Sequence, residues 1–524
     1  MSRTNPRAEL AHIDRRLPLP DRLSALDVSF LYLEDSATPM HVGAVSIFAT
    51  PDDGFGYERL FEIVGSRIGM VPRYRQRVRS VPGRIARPVW VDSEDFDLGY
   101  HVRLSALPKP GSDAQLFELA ARVLSRPLDT KRPLWELYLV EGLSGGRFGM
   151  LFKTHLAIVD GTSGVDLGQV ILDSVPAARA QPVGRTGAPS GAGNGADPWA
   201  PGREPSAAGL VQDALAELTH RPAAVVDTAR AGLGDIGRTV GGVKDAVTGV
   251  LSVVGRASRA STGSPLNATT GQRRRFATSA GSLEDYKLVR KAHGGTVNDV
   301  VLAVVTGALR EWLMTRGEAV GSSMTVRALV PISVRGGSGP GATDLTGTPG
   351  AGNRLAGLSG LGGLGSSPGS DDEGSGVRPF LVDLPVGEPN PVIRLQQISY
   401  AMRTHVEAGH AVAADALIGV AGFAPPTLHS LGARVGGGLS SRVFNVLVTN
   451  VPGPQVPVFV GSARLLASYP VMPLVRGQAV SVGVTSYEGS VYFGLNADGD
   501  ALPDVGVLAD CLADNLSALV ETAS

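Results

Sequence analysis

The chain has 524 residues, of which 43% are hydrophobic and 19% charged, with a formal net charge of -1. That length exceeds one ordinary core and predicts two domains with connecting material, and the balanced charge excludes a broad nucleic-acid footprint, which needs a basic excess. The single cysteine, Cys511, excludes an internal disulfide and a thiolate metal cluster, and its place in an apolar helical pattern makes it core filler.

The first ten residues hold no apolar core of the kind a secretory signal needs, and no uncharged apolar run reaches the length of a membrane span. A cytoplasmic protein is expected, with attachment to the inner membrane surface left open. In chain order, His41-Val42-Gly43-Ala44-Val45-Ser46-Ile47-Phe48 reads as a strand and 57–70 as a helix with Leu60, Phe61, Val64 and Ile68 on one stripe. Arg73, Arg75, Arg77 and Arg79 alternate along a ladder read as a solvated strand face, balanced by Asp92, Glu94, Asp95 and Asp97. A short strand over 101–107, a helix over 115–125 and a strand over 133–140 follow. Gly142-Leu143-Ser144-Gly145-Gly146 matches the nucleophile-elbow pattern in letters, but it joins strand to strand and reads as a hairpin turn.

Arg147 to Phe152 forms the apolar run that leads into Lys153-Thr154-His155-Leu156-Ala157-Ile158-Val159-Asp160-Gly161. Thr162 or Ser163 can cap a helix with apolar spacing through 165–172. A histidine where a strand gives way to a loop is held rigidly and stays reachable. Its ordinary pKa lies near neutrality, so it can take a proton from a hydroxyl and return it to a leaving group. On the residues alone, His155 with Asp160 also fits a structural polar pair.

Residues 181–205 shift to Gly, Pro, Ala and Ser and read as linker, and 208–257 as amphipathic helix suited to packing between domains or to a lipid surface. Gly232-Leu233-Gly234-Asp235-Ile236-Gly237 fits the dinucleotide fingerprint in letters only, since no strand precedes it. In the second half, Thr296 or Asn298 can cap a helix through Val301, Val304 and Leu309. A strand over 324–335 ends with a proline, and the Gly/Ser-rich stretch 336–376 is too poor in large apolar side chains to pack a core. Strands over 379–385, 443–454, 478–485 and 490–496, a helix over 392–407 and a C-terminal helix complete the reading.

Seven stretches together resemble one family: Leu26-Asp27 through Pro39-Met40-His41-Val42-Gly43, Pro133-Leu134-Trp135-Glu136, His155 to Gly161, Thr296-Val297-Asn298-Asp299-Val300, Pro331-Ile332-Ser333-Val334-Arg335, Leu384-Pro385-Val386-Gly387-Glu388-Pro389, and Asn450-Val451-Pro452-Gly453-Pro454. They resemble the bacterial wax ester synthase/acyl-CoA:diacylglycerol acyltransferase family. The resemblance implies the two-domain α/β fold of the CoA-dependent acyltransferases, similar to chloramphenicol acetyltransferase, with mixed sheets, helices and a tunnel between domains. The domains are expected at 1–180 and 266–524, joined by a linker at 181–265, with a disordered insertion near 336–376.

The resemblance further implies an O-acyltransferase that moves a long acyl chain from acyl-CoA to diacylglycerol or a fatty alcohol. His155, matched to the second of the family's paired histidines, is by that resemblance the expected general base, Asp160 its structural support with Arg335 as a partner, and Asn298 a polar contact near the reacting oxygen or a plain helix cap. Acyl-CoA is a co-substrate, with no permanently bound cofactor and no metal, and a membrane or lipid-droplet surface is an expected partner. The family motif carries two adjacent histidines before three variable residues and Asp-Gly, and Thr154 is read as standing at the first. A catalytically weak lipid-binding or scaffold protein, or an acyltransferase for another hydroxyl acceptor, are the alternatives.

Overall fold

The computed structural model describes residues 21–159, 167–177, 199–220, 264–335, 375–407 and 444–524. Two six-stranded mixed sheets carry the fold. In the first half run α1 (Ala25–Leu33), β1 (His41–Ala49), α2 (Tyr57–Arg67), β2 (Gln76–Arg79), β3 (Val89–Asp92), α3 (Leu98–His101), β4 (Val102–Ala106), α4 (Asp113–Leu124), β5 (Trp135–Leu143), β6 (Arg147–His155), α5 (Leu167–Ile171) and α6 (Ala207–His220). In the second half run β7 (Arg274–Ser282), α7 (Leu283–His293), α8 (Val297–Thr315), β8 (Val326–Arg335), β9 (Ser375–Leu384), α9 (Pro391–Glu407), β10 (Val446–Val451), β11 (Phe459–Val460), β12 (Ala463–Val471), β13 (Val480–Tyr487), β14 (Ser490–Asp498) and α10 (Val505–Ala523).

The first sheet has the order β11-β12-β1-β6-β5-β4, and the second β7-β14-β13-β10-β8-β9. The expected division at 265 therefore does not separate the two sheets. Strand β12 pairs antiparallel with β1, Gly43 opposite Val471 and Ile47 opposite Ala467, so a strand from the second half completes the first sheet. Leu465, Ala467 and Val471 join the first core together with Val45, Phe48 and Leu151. Strand β12 is not among the strands expected from the sequence, and nothing local in its residues tells which sheet it will enter.

Each core is built from the periodicity of its elements. Helix α2 buries Leu60, Ile63 and Val64, and α4 opens with a reciprocal capping box between Ser112 and Gln115. Helix α8 is buried over nearly its whole surface, sandwiched between the second sheet and its neighbours α7, α9 and α10. Cys511 lies in that core, where burial pushes its thiol up to about 11, so it is an inert apolar filler. The turn between β13 and β14 places Glu488 and Gly489 at φ 44° and 78°, the left-handed conformation a two-residue hairpin requires.

Three local expectations are corrected. Strand β8 reaches Arg335 as expected, but Pro331 lies inside it and not at its end: Pro331 faces Pro379, beyond the residues paired with β10, so its missing N–H is tolerated. Arg73 and Arg75 lie in a 3-10 turn, and three of the arginines find carboxylates other than those expected, Arg73 pairing with Asp21 at 2.8 Å and Arg77 and Arg79 with Glu204 at 2.7 and 3.2 Å, while the expected Asp92 acts on Arg75. Residues 207–220 form α6, whose Leu210 and Ala214 pack on Val81, Val89 and Val91, so this part of the amphipathic segment covers the β2–β3 ribbon. The rest of that segment and most of 336–376 lie outside the described residues.

Two buried imidazoles make stability depend on pH. Burial lowers His101 to about 4 and holds His41 well below its ordinary value, while each donates one ring hydrogen to a backbone carbonyl, Trp135 O and Leu124 O, both at 2.8 Å. The unfolded chain binds protons at these rings near pH 6.5 and the folded chain does not. Their contribution is complete above pH 6.5 and is lost as pH falls, His101 alone accounting for about 3 kcal/mol by pH 4. Urea unfolding at pH 7.5 and 5.0 should show the lower midpoint at pH 5.0; equal midpoints would contradict the neutral assignment.

Candidate active site

His155 closes β6 and is fully buried. Its backbone N–H donates to Leu134 O at 2.9 Å, and Leu156 N–H donates to Met40 O at 2.9 Å, so the strand end is clamped from both sides. The ring is oriented by its own loop: Ala157 N–H donates to Nδ1 at 3.0 Å. A neutral imidazole with a lone pair on Nδ1 carries its hydrogen on Nε2. Nε2 has no hydrogen-bond partner and stands 3.5 Å from Glu34 Oε2.

Glu34 was not singled out in the sequence, since it lies between the Leu26-Asp27 start and the Pro39-Met40-His41 motif. It is the residue that ends α1, and its other oxygen, Oε1, accepts Met40 N–H at 3.2 Å. The loop that follows is held by the second half of the chain. Arg476 pairs with Asp35 at 3.0 Å, and Arg274 donates to Ala37 O. Ser24 and Asp27 cap α1 reciprocally, which fixes the helix from its other end.

The face of β6 that bears His155 also bears Lys153, two residues back. Lys153 is fully buried, donates to Val123 O and Arg126 O at the end of α4, and lies 3.5 Å from Glu136. Glu136 also takes Arg103 at 3.1 Å and the Tyr138 hydroxyl at 2.9 Å. The Pro133-Leu134-Trp135-Glu136 stretch thus supplies a carbonyl to His155, a buried indole bonded to Tyr74 O at 2.8 Å and the counter-charge for Lys153. Gly43 lies opposite Lys153, and a Cβ there would meet Phe152 O at 1.8 Å, so β1 must carry glycine to approach β6.

Across the seam between the two halves, Met40, Val42, Leu156 and Val159 pack against Phe444, Leu447 and Met472, with Val451 at the edge. Asn450 precedes Val451, and its Nδ2 donates to Asn298 Oδ1 at 2.9 Å. Thr296, not Asn298, caps α8, through a reciprocal box with Asp299. Asn298 is therefore free of the capping role and leaves its own amide hydrogens available beside the seam. Asp160 and the Arg335 side chain lie outside the described residues. Among the described residues no group of three or more His, Cys, Asp or Glu side chains is placed to hold a metal ion, and no helix is long and apolar enough to cross a membrane.

Residues 23–301 match the model of the wax ester synthase/diacylglycerol acyltransferase catalytic domain, and 374–520 match that of the WS/DGAT C-terminal domain. The chain belongs to the wax ester synthase/diacylglycerol acyltransferase family. It is 32% identical over 507 residues to the "Probable diacyglycerol O-acyltransferase tgs2" of Mycobacterium tuberculosis, covering 95% of this chain and 98% of that one. It is 42% identical over 270 residues to tgs3 of the same species, covering 51% of this chain and 95% of that one. The wax ester synthase/diacylglycerol acyltransferase of Marinobacter aquaeolei VT8 shares the fold, with a TM-score of 0.63 at 24% identity over 96% of this chain and 99% of that one. The first condensation domain of the calcium-dependent antibiotic synthetase does so with a TM-score of 0.51 at 15% identity, over 96% and 97%. The two-domain acyltransferase fold is thereby established.

Membership in this acyltransferase family exposes an error of register in the histidine motif. Four residues, Leu156, Ala157, Ile158 and Val159, separate His155 from Asp160. Counting back from Asp160-Gly161 assigns Ala157 to Val159 as the three variable residues, Leu156 to the second histidine position and His155 to the first. The departure from the wax ester synthase/diacylglycerol acyltransferase pattern is Leu156, so the position the resemblance gave to the base holds leucine and His155 stands at the first histidine; Thr154 lies one residue before the motif. Packing agrees with the distinction, since the Leu156 side chain enters the apolar seam while His155 turns to Glu34.

Proposed function

We propose that the protein is an O-acyltransferase moving a long acyl chain from acyl-CoA to the hydroxyl of diacylglycerol or a fatty alcohol, with His155 and Glu34 sharing the proton work. The observation that carries this reading is the unpartnered Nε2 of His155 facing a carboxylate at 3.5 Å, beside an apolar seam between the domains. Because Ala157 N–H holds the Nδ1 lone pair and Nε2 already carries the ring hydrogen, the acceptor's proton goes to the Glu34 carboxylate, which the Nε2–H faces and orients, so the base is the pair rather than the ring alone. The acceptor oxygen attacks the thioester carbonyl, its proton enters the pair, the carbon–sulfur bond breaks, and the pair protonates the departing CoA thiolate. Asn298, with its amide hydrogens uncommitted, suits a contact to the reacting oxygen. Both substrates held in one seam need no covalent acyl-enzyme. Asp160 is assigned the ordering of the loop after His155, and the acceptor lipids imply work at a membrane or lipid-droplet surface.

Chromatography of the products formed from palmitoyl-CoA with mixed dioleoylglycerol and hexadecanol tests the proposal. Triacylglycerol or wax ester with stoichiometric CoA release is expected; release of neither would refute it. A second reading, a lipid-binding member with little turnover, is favoured by Leu156 at the second histidine position. Leu156→His separates the two. If His155 and Glu34 suffice, the substitution should change kcat by less than about tenfold, or roughly 1.4 kcal/mol in the barrier, and lower stability by about 1–3 kcal/mol for an imidazole placed among apolar side chains. An inert wild type made active by Leu156→His would give the assignment to the second reading.

A further inference from the structure

The helix layer over the second sheet leaves a groove of about 490 Å³ between α8, the start of α9 and α10, lined among others by Gly307, Arg310, Glu311, Met314, Arg394 and Asn515. Gly307 lies nine residues beyond Asn298 on α8, roughly 13 Å along the helix, so the groove is separate from the seam at His155.

Arg394 is only 4% exposed, yet no carboxylate among the described residues lies within ion-pair distance of it. Nε has no partner, and the terminal nitrogens make only long bonds, to Asn515 Oδ1 at 3.4 Å and Pro389 O at 3.3 Å. A buried guanidinium left in this state is costly unless an anion completes it. Burial, with the nearby Arg310 charge, lowers it to about 10, so it stays a cation at neutral pH. Arg310, on the same groove, is likewise bonded only to carbonyls, Val386 O at 2.8 Å and Gly387 O at 3.1 Å.

The backbone makes room for this arrangement. A Cβ on Gly307 would lie 2.1 Å from Arg394 Nη1 and 2.0 Å from Asn515 Oδ1, and a glycine inside a helix costs about 0.5–1 kcal/mol relative to alanine. One carboxylate, Glu311, also lines the groove and accepts Asn515 Nδ2 at 2.7 Å. Two guanidiniums line the groove against one lining carboxylate, while Glu388, outside the lining, acts on the Arg394 charge without reaching ion-pair distance. At the rim Met314 is 54% exposed, and Ile393 on the first turn of α9 is 43% exposed, so apolar surface adjoins the cationic floor.

We propose that this groove binds the singly charged oxyanion head of an amphiphile, with Arg394 and Arg310 holding its oxygens and the Met314 side receiving the first methylenes of its tail. The head is the carboxylate of a free fatty acid or the phosphodiester of an anionic membrane lipid. Titration calorimetry on the full chain with decanoate and with decanol tests the shared chemistry, and co-sedimentation with phosphatidylglycerol or phosphatidylcholine vesicles distinguishes the sources. Decanoate should bind at least tenfold more tightly than decanol. Arg310→Gln and Met314→Glu should each weaken decanoate at least tenfold. Met314→Glu places a like charge at an exposed rim and leaves the buried guanidinium intact, so folding is preserved. If these variants also lose selective sedimentation with phosphatidylglycerol, the head is the membrane lipid's; if sedimentation is unchanged, it is the free acid's. Decanoate binding no tighter than decanol, or unaffected by Met314→Glu, would overturn the proposal.

Discussion

His155→Asn is expected to lower turnover of acyl-CoA with diacylglycerol or hexadecanol by about 10²–10⁴-fold, the usual contribution of a positioned base. Asparagine suits the test better than alanine. Its Oδ1 falls close to the site of Nδ1 and can still accept Ala157 N–H, which bonds to the ring at 3.0 Å, while nothing replaces Nε2. Alanine would also empty a fully buried position and leave that N–H unsatisfied, at about 1–3 kcal/mol, so lost activity could be confused with lost structure. With the asparagine variant, thermal unfolding should stay near that of the wild type while CoA release collapses. A folded variant that keeps more than half of its activity would remove His155 from the reaction.

Glu34→Gln carries the second large effect, a fall in kcat of about 10²–10⁴-fold if proton transfer runs through the pair. Glutamine can keep the bond its oxygen accepts from Met40 N–H, now 3.2 Å, and is nearly the same size. What it removes is the acidic oxygen 3.5 Å from His155 Nε2. The loss should therefore fall on kcat, with the KM for acyl-CoA little changed, because no binding contact is withdrawn. A raised KM at constant kcat would show that Glu34 serves substrate binding instead. Glu34→Ala should lose the same proton step and also loosen the loop between α1 and β1, visible as a lower melting temperature.

These two residues mark how far the sequence carries. His155 stood out because a strand's apolar run stops at a histidine followed by Asp-Gly, a purely local signal. Glu34 gave no such signal: its importance comes from the end of α1 being held against β6 by Arg476 and Arg274, side chains from the other half of the chain. Asn298 was legible as a polar residue at a helix start, but local pattern could not choose between it and Thr296 as the cap. The helix begins at Val297, which puts Asn298 inside it and leaves the cap to Thr296, and the Asn298 side chain instead accepts from Asn450. The register of the histidine motif is legible only from its far end: counted from Asp160-Gly161 the departure is Leu156, whereas counted from His155 it falls on Thr154.

The sequence by itself determined most of the elements and the family, because periodicity, caps and turn residues act over a few positions and the family's stretches occur in order along the chain. It also determined that Cys511 is core filler and that the chain holds two cores. Tertiary structure alone decided that β12 completes the first sheet, that Asp21 pairs with Arg73 and Glu204 with Arg77 and Arg79, and that Glu34 faces His155. Strand partners and counter-charges are selected by which surfaces meet after collapse, and hydrogen bonds and ion pairs reach only about 3–4 Å, a scale on which distance along the chain carries no information.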